Sequence, residues 1–216
     1  MVYWLNSEIE VGGRKTIGLD IPAGADERRV EVVDATPDGG LYFSHGGALT
    51  SGRRVKTEHF PKYMKARTKG VIPDFGKWNG LKYVSERFRD IIEKIEPNVH
   101  QFVPFQIVAS GKEVLADMFF MNICNRLDGM DHERTTLLLA RSGMWLPGRE
   151  VPLNERPANF DPNVKGKFVF NLGQIGDHHL WYDKHSIYGP YLSDQLADSI
   201  TQADLTGFTL VRGESD

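Results

Sequence analysis

The chain has 216 residues, 40% of them apolar and 25% charged, an ordinary balance for a globular protein long enough to bury a core without staples. Its 26 basic and 29 acidic residues leave a net charge of −3, which argues against a dedicated nucleic-acid binder. The single cysteine, Cys124, excludes an internal disulfide and a cysteine-based zinc site, and fits a reducing compartment.

The N-terminal stretch MVYWLNSEIEVGGRK has no basic region followed by an apolar one, so it does not read as a secretory signal. The longest apolar run, Met118 to Cys124, is too short to span a bilayer. Composition therefore points to a cytoplasmic protein that makes no membrane contact.

Residues 1–75 read as strand-like and turn-rich. Val2 to Leu5, Glu31 to Val33 and Leu41 to Phe43 are short β-prone runs, and Pro37-Asp38-Gly39-Gly40 is a turn signal between the last two. Residues 52–70 carry Arg53, Arg54, Lys56, Lys62, Lys65, Arg67 and Lys69, with Phe60 and Tyr63 among them. In an acidic chain this segment reads as a solvated connection, not a nucleic-acid site.

Residues 76–216 are better organised. Lys82-Tyr83-Val84 reads as a strand end, Ser85 as a helix cap, and Glu86 as an acid matched to the helix dipole. Phe88, Ile91, Ile92 and Ile95 form one helical stripe, and Pro97-Asn98 ends it. Gln101 to Ala109 and Val114 to Cys124 form a hairpin around the turn Ser110-Gly111-Lys112. Shorter strands follow at Thr135 to Ala140, Lys167 to Leu172 and His179 to Trp181. A second helix runs from Asp194 to Gln202, with a closing strand at Phe208 to Val211 and a loose tail from Gly213.

The segments Tyr83 to Ile92 and Tyr191 to Ile200 share Tyr, Ser, Asp and Ile at matching places. They predict a repeated strand-helix-strand unit. The fold class is α+β, with mixed or antiparallel sheets and a few short helices. Two parts are expected, an N-terminal segment 1–75 and a domain 76–216, with one continuous globule as the alternative.

Catalytic and cofactor motifs do not emerge: the chain has no G-x-S-x-G, no H-E-x-x-H and no P-loop. Cys124 lies in an apolar run, where a buried, inert thiol is expected. Asp177, His178, His179, Asp183 and His185 are the one metal-like grouping. Adjacent histidines on a strand point to opposite faces, so the reading is a polar loop and no metal. The charged, proline-punctuated stretch after residue 126 is a better place for a protein-recognition surface. Its candidates are Asp128, Asp131 and Glu133, with Trp145, Trp181, Tyr182 and Asp183 beside them; exposed aromatics would strengthen that reading.

The order of several short motifs resembles one family of bacterial immunity proteins, the one numbered eleven, first catalogued as a domain of unknown function. The resemblance runs through Trp78-Asn79-Gly80, Tyr83-Val84-Ser85, Phe88 and Ile92. It continues through His100-Gln101-Phe102, Pro104, Met121-Asn122-Ile123-Cys124 and Leu127-Asp128. Trp181, Asp183, Leu192-Ser193-Asp194, Leu196 and Thr206-Gly207-Phe208 complete it. It covers roughly residues 75–212 and is loose before them. It implies a non-catalytic cytoplasmic α+β protein, encoded beside a polymorphic toxin, that binds and neutralises the toxin's C-terminal domain as a monomer or small homo-oligomer. The recurrent positions Trp78, Ser85, Phe102, Pro104, Asn122 and Gly207 read as structural, and the toxin-binding surface is expected to vary between members. Two other readings compete. One is a small-molecule or peptide-binding sensory domain, with its ligand between the two strand-helix units. The other is an enzyme with His178, His179 or His185 as its base.

Overall fold

The computed structural model describes residues 1–22, 26–41, 45–110, 113–161 and 163–215. Strands and helices are numbered along the chain. Two mixed sheets organise them. The first has six strands in the order β4 (Leu19–Asp20), β5 (Tyr63–Ala66), β8 (Gln101–Val108), β9 (Val114–Asn122), β7 (Leu81–Val84) and β6 (Phe75–Trp78). The second has five, in the order β10 (Arg126–Leu127), β14 (Leu180–Asp183), β15 (Tyr191–Ser193), β1 (Val2–Ser7) and β16 (Phe208–Arg212). Three ribbons complete the set: β2 (Glu10–Val11) with β3 (Arg14–Lys15), β11 (Leu138–Leu139) with β12 (Trp145–Leu146), and β13 (Val169–Phe170) with β17 (Glu214–Ser215). The helices are α1 (Glu86–Ile95), α2 (Leu172–Ile175) and α3 (Asp194–Gln202). The α+β class read from the sequence is what the chain adopts.

Both longer helices begin as their sequences dictate. Ser85 and Ser193 are extended, at φ −70° and −72°, and each hydroxyl oxygen accepts the backbone N–H three residues on, from Phe88 and Leu196. In each case the strands flanking the helix are parallel, with an antiparallel strand between them. β9 lies between β7 and β8, and β1 lies between β15 and β16. The returning strands differ in length, eight residues in β8 against five in β16.

Side chains alternate between two covered faces, which is why both sheets contain fully buried strands. Val84, Met121, Leu5, Leu180, Tyr182 and Leu192 meet Phe88, Ile92, Leu196 and Ile200 of the helices in a core shared by the two sheets. The opposite face of the six-stranded sheet, with Leu81, Phe105, Ile107 and Phe120, is covered by Ile17, Val30, Leu49, Val55 and Phe60. The opposite face of the five-stranded sheet, with Val2, Trp181 and Tyr191, is covered by Met130, Leu137, Trp145, Phe170 and Ile175.

Asp74 ties the sheets together. One carboxylate oxygen accepts from the Ser85 hydroxyl at 2.7 Å, and the other accepts from the Thr206 backbone N–H at 2.9 Å. Gly207, next along, has φ +91°, and a Cβ there would stand 2.3 Å from the Phe75 carbonyl oxygen. Both conformation and space require glycine at this crossing.

Several sequence expectations are corrected. The basic segment is no solvated connection. It contributes β5 to the first sheet, with Met64 fully buried and Phe60 under the sheet. Of Glu31 to Val33, only Val32 pairs, as a single bridge to Val55. The run from Lys167 pairs only at Val169–Phe170, because the Asn171 side chain accepts from the Gln174 N–H and starts a helical turn. Thr135 to Ala140 pairs only at Leu138–Leu139. The tail is not loose, since Glu214–Ser215 pairs with β13. The expected strand at residues 41–43 and turn at 110–112 fall in part outside the described residues.

Candidate partner-binding face

The parallel pairing of β10 with β14 sets the local geometry, with Leu127 opposite Asp183. Parallel strands deliver the chain in the same direction. The loop that starts at Asp128 and the turn that starts at Lys184 therefore emerge side by side.

Asp183 fastens them from beneath. It is fully buried, and its two carboxylate oxygens accept from the Gly129 N–H at 2.9 Å and the His185 N–H at 2.8 Å. Burial pushes its carboxyl above the usual range, against the pull of those two bonds. Replacing Asp183 with Ala leaves two buried N–H donors unpaired, so a loss of about 2–4 kcal/mol in unfolding free energy is expected. Urea denaturation reads it, and Asp183→Asn, which keeps an acceptor, should lose clearly less.

Asp128 sits at the mouth of this junction, about one third exposed. Its carboxylate meets His132 Nε2 at 2.9 Å and Lys184 Nζ at 3.0 Å. Burial pushes the carboxyl up, but the bonds from His132 and Lys184 outweigh it and hold it below its ordinary value. Asp131 is spent locally: it accepts from the N–H groups of Glu133 and Arg134 and from Arg134 Nε, which fixes a turn. Those bonds, the Arg134 N–H first, hold its carboxyl down. Glu133 is exposed on that turn.

The aromatic candidates lie elsewhere than expected. Trp145, Trp181 and Tyr182 are buried, at 4%, 0% and 1% exposure. Trp181 and Tyr182 point into the cores on opposite faces of β14, and Trp145 packs beneath the face with its edge in a cleft wall. Trp145 donates its backbone N–H to the His185 carbonyl and carries the His132 ring edge-on at 5.0 Å. Beside it opens a cleft of about 290 Å³ lined by Trp4, Leu137, Trp145, Pro147, Phe168 and Tyr188. Tyr188 is 41% and Ile187 58% exposed. Those two carry no periodic signal in the sequence, because they sit in the turn after β14.

The metal-like grouping of the sequence comes apart. His178 and His179 precede β14, where the His179 backbone N–H donates to Glu96 and its ring meets the Ser193 hydroxyl at 2.7 Å. His185 lies past the other end of the strand, facing Asp128 and His132. Cys124 is half-buried, and burial pushes its thiol up to about 11, so it is a poor nucleophile at neutral pH. Among the described residues, no helix is long and apolar enough to cross a membrane.

No curated protein matches the chain. A model of the Immunity protein family (Imm11) matches residues 27–214. The match starts well before residue 75, so it takes in the basic segment and β5 as well as the helices and the paired loops of the candidate face. The chain belongs to that immunity protein family.

Proposed function

We propose that the protein binds a cognate bacterial toxin domain in the cytoplasm and neutralises it by stoichiometric contact, without catalysis. The family match over residues 27–214 carries this reading. In this reading the toxin meets the face described above, which carries the exposed Glu133 and Ile187, the half-buried Asp128, and the cleft with Tyr188 in its wall. An exposed carboxylate at Glu133 suits a basic partner, and an apolar cleft with a half-exposed tyrosine suits an inserted side chain. Residues 1–75 and 76–216 act as one body in this proposal. β1, lying between β15 and β16, and β5, lying next to β8, support it.

Co-expression with the C-terminal domain of the toxin encoded beside this protein tests the reading. Growth should be rescued, and both chains should co-purify at one to one. Unchanged toxicity with two separate species on size exclusion overturns it. Glu133→Arg and Ile187→Arg should each weaken the complex about tenfold or more, a cost near 1.4 kcal/mol, without moving the thermal midpoint of the free protein. A complex indifferent to both substitutions places the toxin on another face.

A further inference from the structure

Asp128, His132 and His185 are the one group of three metal-ligating side chains found together among the described residues, with ligand atoms all within 4.8 Å of one another. The three arrive from two chain segments. Asp128 and His132 lie four residues apart in the loop after β10, and His185 lies in the turn after β14.

His185 is held in the orientation a metal ligand needs. Its Nδ1 lies 2.8 Å from the Gly143 carbonyl oxygen, which can only accept. Nδ1 therefore carries the hydrogen, and the lone pair of the neutral ring is on Nε2. That atom faces Asp128 Oδ2 at 3.8 Å. A ring N–H given to a backbone carbonyl is the usual outer contact of a metal-bound histidine. His132 Nε2 lies 2.9 Å from Asp128 Oδ1 and donates its hydrogen there, so metal entry replaces that hydrogen bond and leaves the neutral ring's hydrogen on Nδ1; the ring rests edge-on against Trp145. The two imidazoles stand 5.9 Å apart, almost perpendicular at 83°.

We propose that Asp128 through a carboxylate oxygen, His132 through Nε2 and His185 through Nε2 bind one divalent transition-metal ion, zinc by the character of the donors. Two imidazoles and one carboxylate suit zinc, whereas calcium and magnesium seek oxygen-rich sets. Tetrahedral zinc with bonds of about 2.0–2.2 Å holds its ligand atoms roughly 3.3 Å apart. The two imidazoles now approach different oxygens of Asp128, at 2.9 Å and 3.8 Å, so a single bound oxygen must settle between them. No separation exceeds 4.8 Å, so the largest closure needed is at most about 1.5 Å, which the exposed His132 ring supplies by turning. Three protein ligands would leave a fourth position for water.

Lys184 is the competitor. Its ammonium lies 3.0 Å from Asp128 Oδ2 and would give way as the metal enters, with the Asp38 carbonyl oxygen at 3.5 Å as its alternative partner. The ion would pin the loop after β10 to the turn after β14, and so stiffen the candidate face. The site stands on its own geometry and does not depend on toxin binding.

The test is a titration of tag-free, chelator-treated protein with zinc chloride, read by calorimetry and thermal melting. One zinc per chain is expected, with a midpoint about 5 °C or more higher at a hundredfold excess over Kd. His132→Ala, whose side chain is exposed and which should leave the fold intact, and Asp128→Asn should each weaken binding at least tenfold. Lys184→Gln should tighten it several-fold. His178→Ala and Cys124→Ser should leave it unchanged. No heat and no shift with the wild-type protein overturns the proposal. So does binding that survives His132→Ala at full strength, or that disappears in His178→Ala or Cys124→Ser.

Discussion

Lys82→Met is expected to stabilise the protein by about 2–4 kcal/mol at pH 6, raising its midpoint by roughly 5–15 °C for a chain of this size. Lys82 lies in β7 with 5% exposure, on the face turned toward the second sheet. Among the described residues, no carboxylate is within ion-pair reach. Its ammonium lies 5.0 Å from the centre of the Tyr182 ring, a weak substitute for water. Lys77 stands directly opposite on β6 and adds a like charge.

Burial first, and Lys77 second, bring the Lys82 ammonium down to about 7 from an ordinary 10.5. Keeping it charged inside the fold costs on the order of 5 kcal/mol. Methionine keeps most of the packed stem and removes the charge. The sign of the pH effect follows. Between pH 7 and 10.5 the unfolded chain binds one proton more than the folded one, so the wild-type protein gains stability as pH rises through that window. Below pH 7 both states hold the proton and the full cost remains. The gap between Lys82→Met and wild type should therefore be widest at pH 6 and nearly closed at pH 10. Denaturant titrations at the two pH values check this, and a gap that is constant or reversed refutes it.

Glu96→Ala should produce the opposite change, a loss of about 4 kcal/mol. Glu96 ends α1 and is 6% exposed. One carboxylate oxygen takes His100 Nε2 at 3.0 Å; the other takes Asn125 Nδ2 at 2.9 Å and the His179 backbone N–H at 3.0 Å. His100 is itself fixed, because its Nδ1 accepts the Cys124 N–H at 3.1 Å. Removing the carboxylate takes the acceptor from three donors, the buried His100 and Asn125 side chains and the half-buried His179 N–H, which join α1 to the chain after β9 and the start of β14. Burial pushes the Glu96 carboxyl up, but the bonds from His100 and His179 outweigh it, so it sits below its ordinary 4.5. Its contribution is complete above that value and is lost as pH falls through the lower folded one. The difference between wild type and Glu96→Ala should therefore shrink in acid. Glu96→Gln, which retains one acceptor, should cost about half as much at neutral pH.

What the sequence revealed and what it hid have separate physical causes. α1 and α3 were legible because a cap, an acid in the first turn and an apolar stripe all agree within ten residues. The β8–β9 hairpin was legible because its partners are neighbours in the chain. β5 was hidden because only Met64 of its four residues is fully buried, which gives no period, and because its partners β4 and β8 lie far off in the chain. Lys82 read as the edge of a strand, since nothing local announces that both faces of β7 are covered. The candidate face was half legible. The loop at Asp128 to Glu133 was singled out by its charge, whereas His132 was passed over because an i, i+4 spacing has no meaning in a loop. Only the long-range pairing of β10 with β14 brings His185 to it. The aromatics Trp145, Trp181 and Tyr182 were marked by type, and their burial depends on which covering segment lies over each face.

The place of β1 between β15 and β16 has a consequence for biosynthesis. A ribosome adding about 5–20 residues per second makes β1 first and its two neighbours roughly 10–40 s later. Through that interval the five-stranded sheet has no centre, and Val2, Trp4 and Leu5 have no core to enter. A nascent chain, or one cut short before β15, thus leaves β1 open to chaperones and proteases until Tyr191 to Arg212 have been made.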